Sequence, residues 1–204
     1  MGLFLSMAGI IGAKEPEVIA ALRDYSRMKH GILDENGVYE EGNMLQSDEV
    51  GDNTFLQFPN HFFIGGEETC REISSRLQKA VFYLHIYDDD LWLYILFRNG
   101  VRIDGFNPRP NYWSNEITEE ERAAWKGNAT VVCQCVPGLS PEDIEGYLIP
   151  WDLDAENKVK AYPDDEFPLG YFWQIVDFMR KIGIPYPDEE SLIETHLYLF
   201  KIPS

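Results

Sequence analysis

The strongest constraint lies in residues 80–106, AVFYLHIYDDDLWLYILFRNGVRIDGF. Two long runs of β-branched, aromatic and aliphatic residues are interrupted by Asp88, Asp89 and Asp90. A third run follows Asn99–Gly100. Asn-Gly between two apolar runs marks a tight hairpin, because both residues tolerate positive φ. A two-residue turn there predicts Arg98 opposite Val101 and Leu96 opposite Ile103. The segment therefore predicts an antiparallel meander over 81–105, and any fold containing it must supply cover for a strongly apolar sheet.

Other periodicities surround the meander. Residues 2–12 read as a strand ended by Gly12, rather than as a membrane span or anchor. From Glu15, Val18, Ala21, Leu22, Tyr25 and Met28 fall on one helical face, with Gly31 as the stop. The acidic stretch 32–53 predicts a long surface excursion, with at most a short strand around Val38–Tyr39, and offers a candidate binding edge. Residues 54–64 read as a strand that Pro59 ends or confines to an edge. A helix then follows Gly65–Gly66, carrying Cys70, Ile73 and Leu77 on one face.

Beyond Phe106 the pattern shifts. Thr118 and Glu121 form a capping-box signature. Residues 128–135 read as a short helix, although their β-branched residues also suit a strand. Ser140, Pro141 and Asp143 start another helix. Leu169 to Ile182 predicts a longer helix with a broad apolar arc, and His196–Ile202 predicts one more strand, added at an edge. Together these predict an α+β fold: a mixed, mainly antiparallel sheet with helices packed on it and a mainly helical C-terminal third. The 204 residues suit a single domain, with a possible subdivision into a sheet part, 1–113, and a helical part, 114–204.

Charge narrows the function classes. With 35 acidic against 17 basic residues, the formal net charge is −18. Such a chain repels nucleic acid and anionic membranes, and favours a basic protein as partner. Three cysteines, Cys70, Cys133 and Cys135, make no disulfide framework and fit neither a zinc nor a redox spacing, so a reducing, cytoplasmic setting of bacterial type is expected. The four histidines share no metal spacing. The run from Asp152 resembles a calcium loop only at its start, with Pro163 where a bidentate Glu belongs. No glycine-rich phosphate fingerprint or nucleophile elbow is present, so no cofactor or metal is implied.

The remaining chemistry is sparse. Asp88–Asp90 suit a turn, since three neighbouring side chains point in different directions. A catalytic reading would join His85 as general base with Asp89 and Arg109. A binding reading draws on Arg109, Tyr112 and Trp113 in the stiff segment NPRPNYW, and on Tyr162, Asp164, Asp165, Glu166 and Phe167 in YPDDEF. The composition favours a non-enzymatic, immunity-like or inhibitory protein with an acidic surface for a basic partner. A small hydrolase or ligand-binding enzyme using the His/Asp/Arg set is one alternative, and a purely solubilising acidic surface is the other.

Overall fold

The computed structural model describes residues 2–60, 62–114, 116–152, 159–186 and 195–203. Within these residues the chain folds as α+β, with an eight-stranded open sheet in the order β2-β8-β3-β4-β1-β5-β6-β7. The strands are β1 (Phe4–Ile11), β2 (Ile32–Asp34), β3 (Met44–Val50), β4 (Asn53–Gln57), β5 (Ala80–Tyr87), β6 (Leu91–Arg98), β7 (Val101–Phe106) and β8 (His196–Lys201). Every strand pairing described is antiparallel rather than mixed. The helices are α1 (Glu15–Met28), α2 (Phe63–Leu77), α3 (Glu119–Ala123), α4 (Ala129–Cys133) and α5 (Gln174–Lys181).

β1, β5 and β6 are buried on both faces, which is why their sequences read as nearly continuous apolar runs. One face carries Ala8, Ile10, Val81, Tyr83, Ile95 and Phe97, covered by Val18, Leu22 and Tyr25 of α1 and by Cys70 and Ile73 of α2. The opposite face carries Met7, Phe82, Leu84, Trp92, Tyr94 and Leu96, covered by Val132, Tyr147, Ile175 and Phe178. Phe178 of α5 is the central plug there. Its ring stacks on Tyr94 at 5.2 Å and lies 5.3 Å from Trp92, whose indole N–H donates to Gln174 at 3.3 Å. β4 and β5 both run antiparallel to β1 between them, so α2 is the crossover connecting them over the sheet.

The hairpin forms at Asn99–Gly100, where both residues have positive φ (53° and 77°) and Arg98 pairs with Val101. The register differs one step further on. A bulge after Leu96 places Asp104, not Ile103, opposite Leu96. With Asp104 at that position, its carboxylate accepts from the Tyr94 hydroxyl at 2.7 Å and from the Asn128 amide at 3.0 Å. Burial raises the Asp104 carboxyl above the usual range, against the lowering effect of these hydrogen bonds.

Four further expectations are corrected. The acidic stretch 32–53 contains β2 and β3; in β3 only Leu45 and Ser47 are buried, Gln46 and Asp48 lie on the opposite face, and Glu49 ends the Leu45–Ser47 face, where Lys14 and the Glu15 amide hold it; Val38 and Tyr39 lie in the exposed loop between the two strands. The last strand, β8, does not sit at an edge but is inserted between β2 and β3. Among the described residues the C-terminal third is not mainly helical. α3 and α4 have five residues each, α5 has eight, and Ser140–Tyr147 forms single 3-10 turns. Prolines at 137, 141, 150, 163 and 168 remove backbone donors, and Gly170 at φ 81° delays α5 until Gln174. Finally, Gly65–Gly66 lie inside the first turn of α2. The Tyr83 ring packs so close that a Cβ on Gly66 would meet it at 2.7 Å. The run 128–135 is helical over Ala129–Cys133, as its position between helical segments predicts.

A Gly100→Val substitution combines strain at positive φ with a collision, since an added Cβ would meet the Ser75 Cβ at 2.8 Å. It is expected to destabilise the protein by about 1–3 kcal/mol, read as a lowered urea midpoint with an unchanged m-value. An unchanged midpoint would contradict the assigned turn.

Candidate functional site

The β5–β6 turn carries the most exposed concentration of candidate residues. Asp88 and Asp89 adopt positive φ (53° and 59°), and the Asp90 amide donates to the Tyr87 carbonyl at 2.9 Å. Asp has a short side chain that tolerates this conformation, which explains its use in the turn. The Asp89 carboxylate accepts from the Leu3 amide at 3.0 Å, tying the turn to the start of β1. Asp90 accepts from the Tyr112 hydroxyl. That bond, with the charges of Asp90 and Asp88, pushes the Tyr112 hydroxyl up to about 12.

Tyr87 organises an aromatic cluster around the turn. Its ring meets Phe4 at 4.9 Å, Trp113 at 5.2 Å and Tyr112 at 5.7 Å, all edge to face. The Arg109 guanidinium lies over the Tyr112 ring at 4.7 Å. The segment after β7 is thus pinned against the meander, as the cost of exposing its aromatics implies. Trp113 is nevertheless 49% exposed, between the anchored Tyr112 and solvent.

His85 lies two residues from Tyr87 but on the fully buried part of β5. Its Nδ1 pairs with the Ser6 hydroxyl at 2.9 Å, and its ring stacks on Tyr83. Burial lowers its pKa to about 4, so the ring is neutral near pH 7. The three residues of the catalytic reading therefore have different surroundings: His85 in the core, Asp89 on the Leu3 amide, Arg109 on Tyr112. No hydrogen bond or ion pair described joins them.

The second candidate stretch, 162–167, turns partly inward. Asp165 is buried and accepts from the Tyr162 amide at 2.8 Å and from the Tyr147 hydroxyl. Tyr162 donates to the Glu142 carbonyl at 2.8 Å and accepts from the Gly146 amide at 3.0 Å. Buried Asp177 of α5 accepts from the Glu166 and Phe167 amides and from Arg180 at 2.7 Å. Phe167 packs on Tyr171, and exposed Asp164 bridges to Lys181 at 3.1 Å. Asp165, Tyr162 and Phe167 thus hold a loop, and among the candidates of this stretch Asp164 and Glu166 present exposed carboxylates. Sequence reasoning passed over Asp177; its signal was a carboxylate set inside the apolar arc IVDFM.

Among the described residues no group of three or more His, Cys, Asp or Glu side chains is placed to hold a metal ion, and no helix is long and apolar enough to cross a membrane. The run from Asp152 and the acidic residues 188–190 lie largely or wholly outside the described residues. Cys70 is buried, and burial raises its thiol well above the ordinary value, while Cys133 and Cys135 are half-buried. No protein-family model matches the chain, and no curated protein or solved structure shows significant similarity to it.

The neutral, buried His85 makes stability depend on pH. Its folded value of about 4 lies below the ordinary 6.5, so the unfolded chain binds the extra proton between those values. The contribution is full above about pH 6.5 and is lost as pH falls towards 4. Urea unfolding at pH 7 and pH 4.5 should show that His85→Gln flattens the acid-side loss by about 2 kcal/mol relative to the parent. Parallel slopes for the two proteins would refute it.

Proposed function

We propose that this chain is a non-enzymatic interaction protein whose acidic surface engages a basic protein, in the manner of an immunity or inhibitor protein. The observation carrying this reading is the half-exposed Trp113 beside the exposed carboxylates Asp88, Asp89 and Asp90. A tryptophan braced from behind by Tyr87 and Tyr112 is a rigid anchor of the kind that dominates binding energy. The carboxylates around it are suited to Lys or Arg side chains, and a net charge of −18 steers such a partner during encounter. The acidic segment Glu116–Glu121, which follows Trp113 and includes exposed Glu116, Glu119, Glu120 and Glu121, adds to the same field.

The buried, Ser6-bonded His85 weighs against the hydrolase alternative, since a general base needs reach to a substrate proton. Exposed Asp164 and Glu166, and the exposed carboxylates of residues 34–52, act in this reading as long-range contributors rather than contacts.

The test separates anchor from steering. With a basic partner captured from the native host, surface plasmon resonance should show Trp113→Ala raising Kd about 30-fold, mainly through dissociation. The double substitution Asp88→Asn with Asp89→Asn preserves the turn, because Asn tolerates positive φ and keeps the carbonyl that holds the Leu3 amide. It should slow association several-fold at low salt and little at high salt. Association indifferent to salt and to these residues would defeat the proposal.

A further inference from the structure

A cleft beside the aromatic cluster has the opposite electrostatic character to the rest of the molecule. It has a volume of about 290 Å³ and lies between the turn Asn107–Asn111, the end of α3 at Arg122–Lys126, and Pro150–Trp151. Three of the chain's 17 basic residues, Arg109, Arg122 and Lys126, line it, and among the described residues no acidic one does. Its walls are otherwise proline and aromatic, with two asparagines, Asn107 and Asn111. Trp125 is held on one face by the Arg102 guanidinium, which lies over its ring at 4.2 Å and also donates to the Ala124 carbonyl.

Two buried donors in this lining have no acceptor among the described residues: the Asn107 side-chain amide nitrogen and the Trp151 indole nitrogen. Asn107 is 2% exposed. Its orientation is settled locally, since Oδ1 accepts from the Arg109 amide at 2.8 Å and leaves Nδ2 as the open donor. Buried polar groups are ordinarily satisfied, and each exception calls for an explanation. The cations are also underused. Arg109 and Lys126 make no ion pair among the described residues, and Arg122 meets only the solvent-exposed Glu119, at 3.7 Å on its own helix.

We propose that this cleft binds a small organic carboxylate with a flat apolar body. A carboxylate accepts from a guanidinium through two parallel bonds and can take further N–H donors, which matches Arg109 with Asn107 and Trp151. Trp125, Pro108, Pro110 and Trp151 would enclose the body, in the mostly apolar, sparsely polar manner of small-molecule sites. A metal ion or an amine would meet three cationic side chains and no carboxylate among the described residues. The cleft is separate from the acidic surface proposed for the basic partner, which this chain's carboxylates on the meander turn provide.

The probes are benzoate, its neutral isostere benzamide, and inorganic phosphate, titrated into the full chain by calorimetry and by the fluorescence of its five tryptophans. Benzoate should bind saturably at one site with Kd below about 1 mM, and benzamide and phosphate at least about tenfold more weakly. Lys126→Gln, at an exposed position, and Arg109→Gln should each weaken benzoate about tenfold, with circular dichroism unchanged. No saturable benzoate binding overturns the proposal, as does equal binding of benzamide. Equal binding of phosphate overturns the assignment of an apolar-bodied ligand, and unchanged affinity in both variants overturns the assignment of the cleft.

Discussion

Burial of both faces of β1, β5 and β6 is the constraint from which the remaining architecture follows. A sheet with one wet face would need only α1 and α2 as cover. Here the second face presents Phe82, Trp92 and Tyr94, too large an apolar area to leave in water. The irregular segment from Asn107 to Gly183 serves as that cover, with Phe178 seated among the three rings. The segment does this with little regular helix. Its backbone groups are therefore satisfied by side chains: Asp165 and Asp177 for the loop before α5, Asp104 for the start of α4, Asn107 for the turn after β7.

That division of labour explains what could be read from the sequence. The meander, β1, α1 and the capping box at Thr118 announce themselves through local signals: continuous apolar runs, a 3.6-residue period, Asn-Gly. β3 does not. Only Leu45 and Ser47 are buried, so its alternation carries one apolar residue and is masked by Gln46, Asp48 and Glu49. Its status as a strand depends on β4 and β8, which are remote in sequence. The bulge at Leu96 is similarly non-local, since Asp104 answers to Tyr94 and Asn128 rather than to the turn. Among the functional candidates, the turn role of Asp88–Asp90 and the pinning of Tyr112 were legible from residue type. The inward orientation of Asp165 was not, because a carboxylate beside two others reads as solvated until its partners Tyr147 and Tyr162 are known.

The acidic composition therefore has two distinct roles. Some carboxylates are structural acceptors for backbone and hydroxyl donors, and contribute to order rather than to an outward field. Others, at the meander turn and along Glu116–Glu121, are exposed, and several of these, Asp89, Asp90 and Glu121, accept structural hydrogen bonds as well. Arg109 stands between these regions. Its guanidinium rests on Tyr112, whose hydroxyl is held by Asp90, while the same residue lines the cleft of opposite character. A single stiff segment, Asn107–Trp113, thus links an acid-rimmed aromatic surface with a donor-lined cavity.

The insertion of β8 between β2 and β3 has a consequence for biosynthesis. β8 follows every other described element in the chain, yet β2 reaches the sheet solely through it, and β3 has it as one of two neighbours. While the ribosome is still translating the preceding residues, β3 exposes an unpaired row of amides and carbonyls, and β2 has no strand partner. Such an edge is a template for pairing with another nascent chain. Asp48 and Glu49 put one carboxylate on each face of β3, and charges on an open edge disfavour its pairing with an identical strand, so part of the acidity that looks like surface decoration suits a sheet awaiting its last member.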